Sequence, residues 1–263
     1  MDLGLDGRTV VVTGGSSGIG LATAQAVLAE GASVAICGRD GARLLRAAES
    51  LRDSASSDRV AAFRCDVTRD TDVAAFASEV ANWRPRVDAL VNNAGEGRVS
   101  TFASTSDAQW RAELDLKFFS QIYPVRAFRP LLERSDVASI LAVNSLLSLQ
   151  PEPHMVCTSA ARAGVQSLVK SLSVEFAPKI RVNSILLGLI DSGQWERRFQ
   201  ARANAAQSRA EWMSELASAK HIPLGRLGDP KEVARAIAFL VSPAASYVTG
   251  ATLEISGGVS RHI

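Results

Sequence analysis

The feature that most constrains the fold of this chain is an alternation of short β-branched runs with helical patterns, which continues from one end to the other. This alternation is typical of a parallel sheet wrapped by helices. The runs are almost continuously apolar, as in residues 10–12 and 140–143, which suits strands covered on both faces. The predicted strands are Thr9–Thr13, Ser33–Cys37, Val60–Asp66, Ala89–Asn93, Ser139–Asn144, Arg181–Leu186 and Thr252–Ile255.

The length of the chain, 263 residues, fits one large α/β domain better than two independent ones. No repeat, linker or low-complexity stretch divides it, and one irregular insert, Gly193–Lys220, follows the sixth strand. Helix ends are readable between the strands: one helix opens at Gly18, and another begins at Ser106, where Gln109 completes a capping box. We therefore predict a single domain over residues 1–263.

Charge and composition argue against several classes of partner. The 29 Lys and Arg residues nearly balance the 27 Asp and Glu residues, for a net charge of +2, whereas nucleic-acid and polybasic membrane binders need clustered cationic surface. No apolar run approaches the roughly 18 residues of a membrane span, and the first residues lack the pattern of a secretion signal. The three cysteines and three histidines are not spaced as ligands, so neither a disulfide framework nor a metal site is indicated. We expect a cytoplasmic protein with a small-molecule substrate, and neither a nucleic acid nor a membrane as partner.

A glycine-rich turn follows the first strand directly and opens the first helix. It reads Thr13-Gly14-Gly15-Ser16-Ser17-Gly18-Ile19-Gly20. Glycine lets the backbone turn sharply and approach a pyrophosphate closely, while the free N–H groups at a helix start attract negative charge. The pattern therefore predicts a dinucleotide site. Its predicted residues are Gly14, Ser16, Ser17, Gly18, Ile19 and Gly20.

The spacing TGxxxGxG resembles that of the short-chain dehydrogenase/reductase family, and further motifs follow in the family's order. Residues 66–67 (Asp-Val) resemble the pair that holds the adenine, and residues 92–95 resemble the family's NNAG turn. Residues 181–184 and the C-terminal blocks 223–228 and 248–258 also match. The likeness covers almost the whole chain, and within the family the chain resembles the β-ketoacyl carrier-protein reductase-like branch.

The resemblance implies a fold, an assembly and further cofactor contacts. The fold is a three-layer αβα Rossmann domain with seven parallel strands in the order 3-2-1-4-5-6-7 and the site at their carboxyl ends. The assembly is a homo-tetramer or homo-dimer built on two long helices, Ser106–Leu132 and Ser159–Phe176. The further cofactor contacts are Asp66, Val67, Asn93, Ala94, Gly95, Arg162, Gly188, Ile190 and Ser192.

The end of the second strand bears on the choice between NAD and NADP. A carboxylate there would bind the ribose 2′-hydroxyl of NAD, whereas an arginine accommodates the 2′-phosphate of NADP. Gly38 supplies no carboxylate, and Arg39 lies 19 residues after Gly20, about where the discriminating residue is expected. Alternatively, Asp40 caps the next helix and Arg39 only points to solvent. The pattern favours NADP(H).

The chain departs from the family at the catalytic positions. The family uses Ser, Tyr, Lys and Asn, and alignment places these roles on Ser145, Thr158, Arg162 and Lys117. Only Ser145 matches, although Arg162 keeps the positive charge of the lysine. Thr158 replaces the family's tyrosine poorly, because an aliphatic hydroxyl is a weak general acid and the threonine side chain is shorter than a tyrosine by the length of a ring. Unless Tyr123 or a lid residue reaches in, the usual ketone-reductase mechanism is not expected.

Lys117 supports two interpretations. Near Arg162 and an oxidised nicotinamide, like charge would lower the lysine pKa toward neutrality and make Lys117 a proton donor. Alternatively, Glu113, four residues earlier, makes Lys117 half of an ordinary surface ion pair. His154 and Cys157 are other possible donors, each better explained as a loop or packing residue.

The insert Gly193–Lys220 resembles the family's substrate lid. Its spacing suggests helices whose aromatic face closes over the pocket while the basic residues face outward. The aromatic residues are Trp195, Phe199 and Trp212, and the basic ones are Arg197, Arg198, Arg202, Arg209 and Lys220. The basic residues fit an acidic substrate such as a thioester carrier, but a solvated helix face explains them more simply.

Three functions are consistent with the sequence. The first is an NADP-dependent oxidoreductase with altered proton delivery, acting on a substrate such as an imine or a conjugated alkene. The second is a carbonyl reductase that has recruited Lys117 or His154 as its acid. The third is a catalytically silent NADPH-binding protein, either a sensor or the partner of an active homologue.

Overall fold

A computed structural model describes residues 2–202 and 207–262. The strands are β1 (Thr9–Thr13), β2 (Ser33–Gly38), β3 (Val60–Arg64), β4 (Ala89–Asn92), β5 (Ser139–Ser145), β6 (Arg181–Leu187) and β7 (Thr252–Ile255). The helices are α1 (Gly18–Ala29), α2 (Gly41–Arg52), α3 (Asp70–Trp83), α4 (Asp107–Leu114), α5 (Ser120–Leu132), α6 (Val156–Glu175), α7 (Gly193–Gln200), α8 (Arg209–Ala219) and α9 (Pro230–Val241).

The seven strands form one parallel sheet in the order 3-2-1-4-5-6-7, which confirms the predicted topology. β1 lies between β2 and β4, and its residue Val12 pairs with Ile36 on one side and with Val91 on the other. The chain therefore runs outward in both directions from the centre of the sheet. Such a reversal opens a crevice at the carboxyl ends of the central strands, where ligands bind in folds of this type.

Helices cover both faces of the sheet, as the apolar strands require. α1, α2 and α9 enclose one hydrophobic cluster around β1 and β2, and α3, α5 and α6 enclose another on the opposite face. Val11 and Val12 are both fully buried, each in a different cluster. Successive side chains of a strand point to opposite faces, so a continuous apolar run supplies core residues to the helical layers on both sides of the sheet.

The long helix predicted at Ser106–Leu132 is interrupted. Ser106 caps α4 through the predicted capping box with Gln109, but residues 115–119 form a wider, π-helical turn before α5 begins. Phe118 in this turn occupies the space beside Gly164 of α6, where a Cβ atom would collide with the Phe118 ring. The π-turn, together with the absence of a side chain at Gly164, lets this part of the chain lie close to α6. Single π-helical turns are frequent at functional sites.

The other predicted boundaries differ from the observed ones by a few residues. β3 and β4 end earlier than predicted, and α6 begins at Val156 rather than at Ser159. Among the described residues, no helix is long and apolar enough to cross a bilayer.

Candidate functional site

A cleft of about 1300 Å³ lies at the carboxyl ends of the central strands. It runs from the glycine-rich turn, past the ends of β4 and β5, to α6 and α7. With one exception, the predicted catalytic and cofactor-binding residues line it. The exception is Gly20, which lies behind the turn: a Cβ there would collide with the carbonyl group of Gly14. Gly20 therefore serves the packing of the helix against the turn.

The glycine-rich turn is held by the residues that end β4. The side-chain amide of Asn93 donates to the Thr13 carbonyl at 3.0 Å and to the Gly14 carbonyl at 3.2 Å. The Thr13 hydroxyl accepts hydrogen bonds from the backbone N–H groups of Asn93 and Ala94, each at 3.0 Å. Gly14 has a φ of +65°, and a Cβ on it would lie 2.9 Å from Ala94 Cα. The turn thus requires glycine here, both for its conformation and for its close approach to β4.

Two arginines line the cleft near the end of β2. Arg39 is exposed and lines the cleft, and Arg43 lines it from the first turn of α2. Asp40 caps α2, accepting a hydrogen bond from the Arg43 backbone N–H at 3.0 Å, and its carboxylate pairs with the Arg43 guanidinium at 3.0 Å. The capping role that the sequence suggested for Asp40 is confirmed, and it is compatible with an Arg39 that faces the cleft.

The four positions that the family alignment singled out meet at the other end of the cleft. Ser145 ends β5, Thr158 and Arg162 lie one turn apart on α6, and Lys117 lies in the π-turn. The side chain of Lys117 is only 5% exposed, and its Nζ atom lies 3.1 Å from Glu113 Oε1. Lys117 also donates a hydrogen bond to the backbone carbonyl of Glu96. The ion pair with Glu113 therefore exists, but the interpretation of it as a surface pair is wrong.

Burial dominates the electrostatics of this cluster. Burial and, to a smaller extent, the nearby positive charge of Arg162 together lower the pKa of Lys117 to about 8, and the negative charges of Glu113 and Glu96 oppose both effects. The positive charge of Arg162 thus contributes to the lowered pKa of Lys117, as the sequence suggested, but desolvation is the larger cause. Burial also lowers the pKa of Arg162, to about 10, which leaves its guanidinium charged at neutral pH. Lys117 is therefore the group in this cluster that titrates near neutrality.

Thr158 is directed at Glu113. Its residue is 1% exposed, and its hydroxyl donates a hydrogen bond to Glu113 Oε1, with the Arg98 carbonyl 3.4 Å away as a second acceptor. The hydroxyl is therefore held by the protein. Neither tyrosine of the chain lines the cleft as described: Tyr123 stacks on Phe119 at 5.0 Å, and Tyr247 is fully exposed. Tyr123 does not reach in to replace the missing phenol.

The other donors that the sequence raised have different surroundings. His154 lines the cleft, but its side chain is half exposed and its Nε2 lies 3.2 Å from a carboxylate oxygen of Glu152. Cys157 is buried and faces a smaller cavity rather than the cleft.

The insert after β6 forms α7 and α8, and its residues 203–206 lie outside the described residues. Trp195 lines the cleft, but Phe199 and Trp212 do not: their rings pack on each other at 5.7 Å, and Trp212 also contacts Trp195. The expectation that all three rings face the pocket is therefore wrong, because they bury one another instead. Among the predicted outward-facing basic residues, Arg197, Arg198 and Lys220 line the cleft.

Two other arginines of the insert are engaged within it. Arg209 bonds to Asp191 at 2.6 Å and to Glu196 at 2.8 Å, and the Arg202 guanidinium lies over the Phe199 ring, 3.3 Å from its centroid. The contacts of Arg209 fasten α8 to α7 and to the loop after β6.

Sequence reasoning missed two residues that organise the site. Asn144 is buried, and its side chain joins Arg162 twice: Oδ1 accepts from the guanidinium, and Nδ2 donates to the Arg162 carbonyl, both at 3.1 Å. Glu113 entered the sequence analysis only as a surface partner of Lys117. The i, i+4 spacing of Glu113 and Lys117 gave no sign of burial, because exposed and buried pairs share it.

The fold and the cleft define a nucleotide-binding α/β domain of the Rossmann type. A family model described as enoyl-(acyl carrier protein) reductase matches residues 14–260. A 3-oxoacyl-[acyl-carrier-protein] reductase of Chlamydia trachomatis is 33% identical over 256 residues, which cover 96% of this chain and 97% of the relative. The chain therefore belongs to the short-chain dehydrogenase/reductase family.

Solved structures agree in fold over the whole chain. A short-chain oxidoreductase of Pseudomonas aeruginosa, described as containing an atypical catalytic center, is 56% identical, with a TM-score of 0.95 and full coverage of both chains. Its NADPH-bound structure matches with 55% identity and a TM-score of 0.94, covering 98% of this chain and 99% of that one. L-sorbose reductase of Gluconobacter frateurii, complexed with NADPH and L-sorbose, is 29% identical, with a TM-score of 0.95 and full coverage of both chains.

Proposed function

We propose that this protein is an NADP(H)-dependent oxidoreductase in which Lys117, rather than a tyrosine, supplies the proton. The observation that carries the proposal is the buried lysine in the cleft wall, with a pKa near 8, in a cleft lined by neither tyrosine of the chain. A general acid works best when its pKa lies near the working pH. Lys117 meets that condition, and Thr158 does not.

The residues of the cleft fit a phosphorylated dinucleotide. The turn approaches β4 so closely at Gly14 that no side chain would fit there. The side chain of Ser17, the N-cap residue of α1, makes no hydrogen bond to the first turn of that helix. The backbone N–H groups of the first turn of α1 are therefore available to phosphate oxygens. Arg39 and Arg43 line the end of the cleft where a 2′-phosphate would lie. NADPH in the structures of the Pseudomonas oxidoreductase and of L-sorbose reductase supports the same choice here.

The cofactor, when bound, supplies or accepts a hydride, and the chain's own groups then have separable roles. Ser145 polarises the substrate oxygen through its hydroxyl. Arg162, fixed in place by Asn144, holds a permanent positive charge beside the site and offers donors for ribose hydroxyls. Lys117 gives its proton to the substrate atom that gains negative charge, and it draws a proton back from its surroundings. Thr158 keeps Glu113 in position.

The substrate class follows from this proton donor. An ammonium group that serves as acid does not require a ketone, so imines and conjugated alkenes are candidates along with the carbonyl compounds that the relatives' names indicate. We also propose that residues 193–220 act as a substrate lid, since Trp195, Arg197 and Arg198 line the mouth of the cleft.

The test is steady-state oxidation of NADPH by the purified protein against a panel of probes: L-sorbose, ethyl acetoacetate, 1-pyrroline and 2-cyclohexenone. Turnover of at least one probe, with NADPH preferred over NADH, is the expected result. Tight NADPH binding without turnover of any probe would contradict the enzymatic proposal and favour a silent NADPH-binding protein. Failure to bind NADPH would overturn the cofactor assignment as well.

A further inference from the structure

Glu113 occupies an unusual position for a carboxylate. It is 1% exposed, and charged groups are almost never buried so deeply unless they are paired. One of its oxygens, Oε1, accepts a hydrogen bond from Thr158 and lies 3.1 Å from Lys117 Nζ. The other oxygen, Oε2, is buried and makes no hydrogen bond with any residue that the structure describes. A buried acceptor without a protein partner is costly, and such acceptors are commonly satisfied by a buried water molecule.

A second cavity, of about 80 Å³, lies against Glu113. Glu113, Ser100 and Cys157 form its buried part, and the exposed residues Ser104 and Gln109 form its outer part. The hydroxyl and amide groups of its wall are suitable partners for water, and the cavity has room for one or two water molecules. The cavity therefore provides a polar path from the surface to Glu113.

Glu113 connects this cavity with the catalytic cleft. It lines the cavity but not the cleft, whereas its partners Lys117 and Thr158 line the cleft but not the cavity. The charged and titratable groups around Glu113 come from three parts of the chain: Lys117 in the π-turn, Arg162 and Cys157 on α6, and Arg98 in the loop after β4. Lys117 is the one of these that contacts Glu113 directly and carries a proton that it can release near neutral pH.

We propose that Glu113 is a proton-transfer residue that links Lys117 to water in the second cavity, so that protons enter and leave the site by a route separate from the substrate's. The proposal rests on the function assigned to Lys117 above. Once the Lys117 ammonium has given its proton to the substrate, its N–H bond is broken and the amine is neutral. A hydronium ion in the cavity then protonates Glu113 at Oε2, a half turn of the carboxyl group brings that hydrogen to Lys117 Nζ, and Glu113 returns to the carboxylate. Solvent is the proton source, and no other co-reactant is needed.

The first variant that tests this route is Glu113→Gln, which keeps the size of the side chain and an acceptor for Thr158 but cannot carry a proton. We expect unchanged NADPH binding and a loss of turnover of about tenfold or more with the panel probe that the wild-type protein reduces fastest, which is less than the roughly 100-fold or more that a general acid itself contributes. Formate, a weak acid small enough for the cavity, should restore part of the lost rate in this variant and leave the wild-type rate unchanged. A residue with only a structural role would not respond to formate.

A readout without turnover comes from Lys117 itself. The chain has five lysines, so ¹³C-lysine labelling gives a spectrum in which the Lys117 signal is assignable from a Lys117→Met sample. Removing the negative charge of Glu113 takes away the largest of the contributions that raise the lysine's affinity for a proton, and the pKa of Lys117 should fall below its wild-type value of about 8. An unchanged titration of Lys117 would contradict the coupling between the two groups.

The second variant, Ser104→Leu, narrows the outer part of the cavity without touching the cleft. It should slow turnover and increase its solvent deuterium isotope effect, whereas Ala103→Leu, on an exposed neighbour that does not line the cavity, should do neither. Wild-type turnover in Glu113→Gln, or a loss that formate does not reverse together with an unaffected Ser104→Leu, would overturn the proposal. If the wild-type protein itself turns over none of the probes, the proposed function fails instead, and the ¹³C titration still tests the Glu113–Lys117 coupling.

Discussion

The two ends of the cleft are built in different ways. At the cofactor end, a short local segment and the start of the following helix form the site, held by Thr13 and Asn93. At the reacting end, the side chains come from the π-turn, β5 and α6, and their properties depend on how deeply they are buried. The comparison teaches that the backbone geometry of a nucleotide site can be kept while the side chains at the family's catalytic positions differ.

The largest effect that separates the two ends is expected for Lys117→Met. Removal of the proton donor should lower turnover by about 100-fold or more, the usual contribution of a general acid, while NADPH binding at the other end stays within about twofold because phosphate recognition is local. Fluorescence titration of NADPH and steady-state kinetics measure both quantities. Lys179→Met, on an exposed lysine, is the matched control. Full activity in Lys117→Met would eliminate the lysine mechanism.

The converse variant, Arg39→Ala, should change cofactor recognition and leave the reacting end of the cleft unaffected. Hydrogen bonds to charged groups contribute about 1.5–3 kcal/mol each, so the preference for NADPH over NADH should fall by roughly 10- to 100-fold while the maximal rate with saturating NADPH changes little. Arg46→Ala, an exposed neighbour on α2 that does not line the cleft, should leave the preference as it is. If Arg39→Ala also leaves it unchanged, Arg39 is not the discriminating residue.

The smallest of the three kinetic effects is expected for Thr158→Val. The variant has nearly the same shape and loses only the hydroxyl that Glu113 accepts from. Turnover should fall by no more than about threefold, because an aliphatic hydroxyl is not the acid, whereas the free energy of unfolding should drop by about 1–3 kcal/mol. Urea unfolding and kinetics on the same preparation separate the two effects. A loss of turnover as large as that of Lys117→Met would show that Thr158 takes part in the reaction.

These two ends also differ in how far the sequence predicts them. The strand order, the glycine-rich turn and the place of Arg39 follow from local patterns and from the family resemblance, because glycine spacing and strand–turn–helix order are local properties. The burial of Glu113, the π-turn and the role of Asn144 do not follow. Each depends on α6 packing against a distant part of the chain, and an i, i+4 pair has the same spacing whether it is exposed or buried.

Assembly through the helices around the π-turn and α6 stays a prediction, as does the lid function of residues 193–220. Both concern surfaces whose partners, a second subunit and a substrate, are set by contacts beyond a single chain.

The central claim is that a buried lysine has taken over proton donation, and the pH dependence of reduction tests it most directly. Burial lowers the pKa of Lys117 to about 8, and only its protonated form donates. The rate with saturating NADPH should therefore be constant below about pH 7 and fall about tenfold per pH unit above 8. Lys117→Arg keeps the positive charge but does not release its proton in this range, so it should lose most of the rate, and the residual rate should lack that descending limb. A wild-type rate that stays level to pH 10, or a descending limb that survives in Lys117→Arg, would contradict the account.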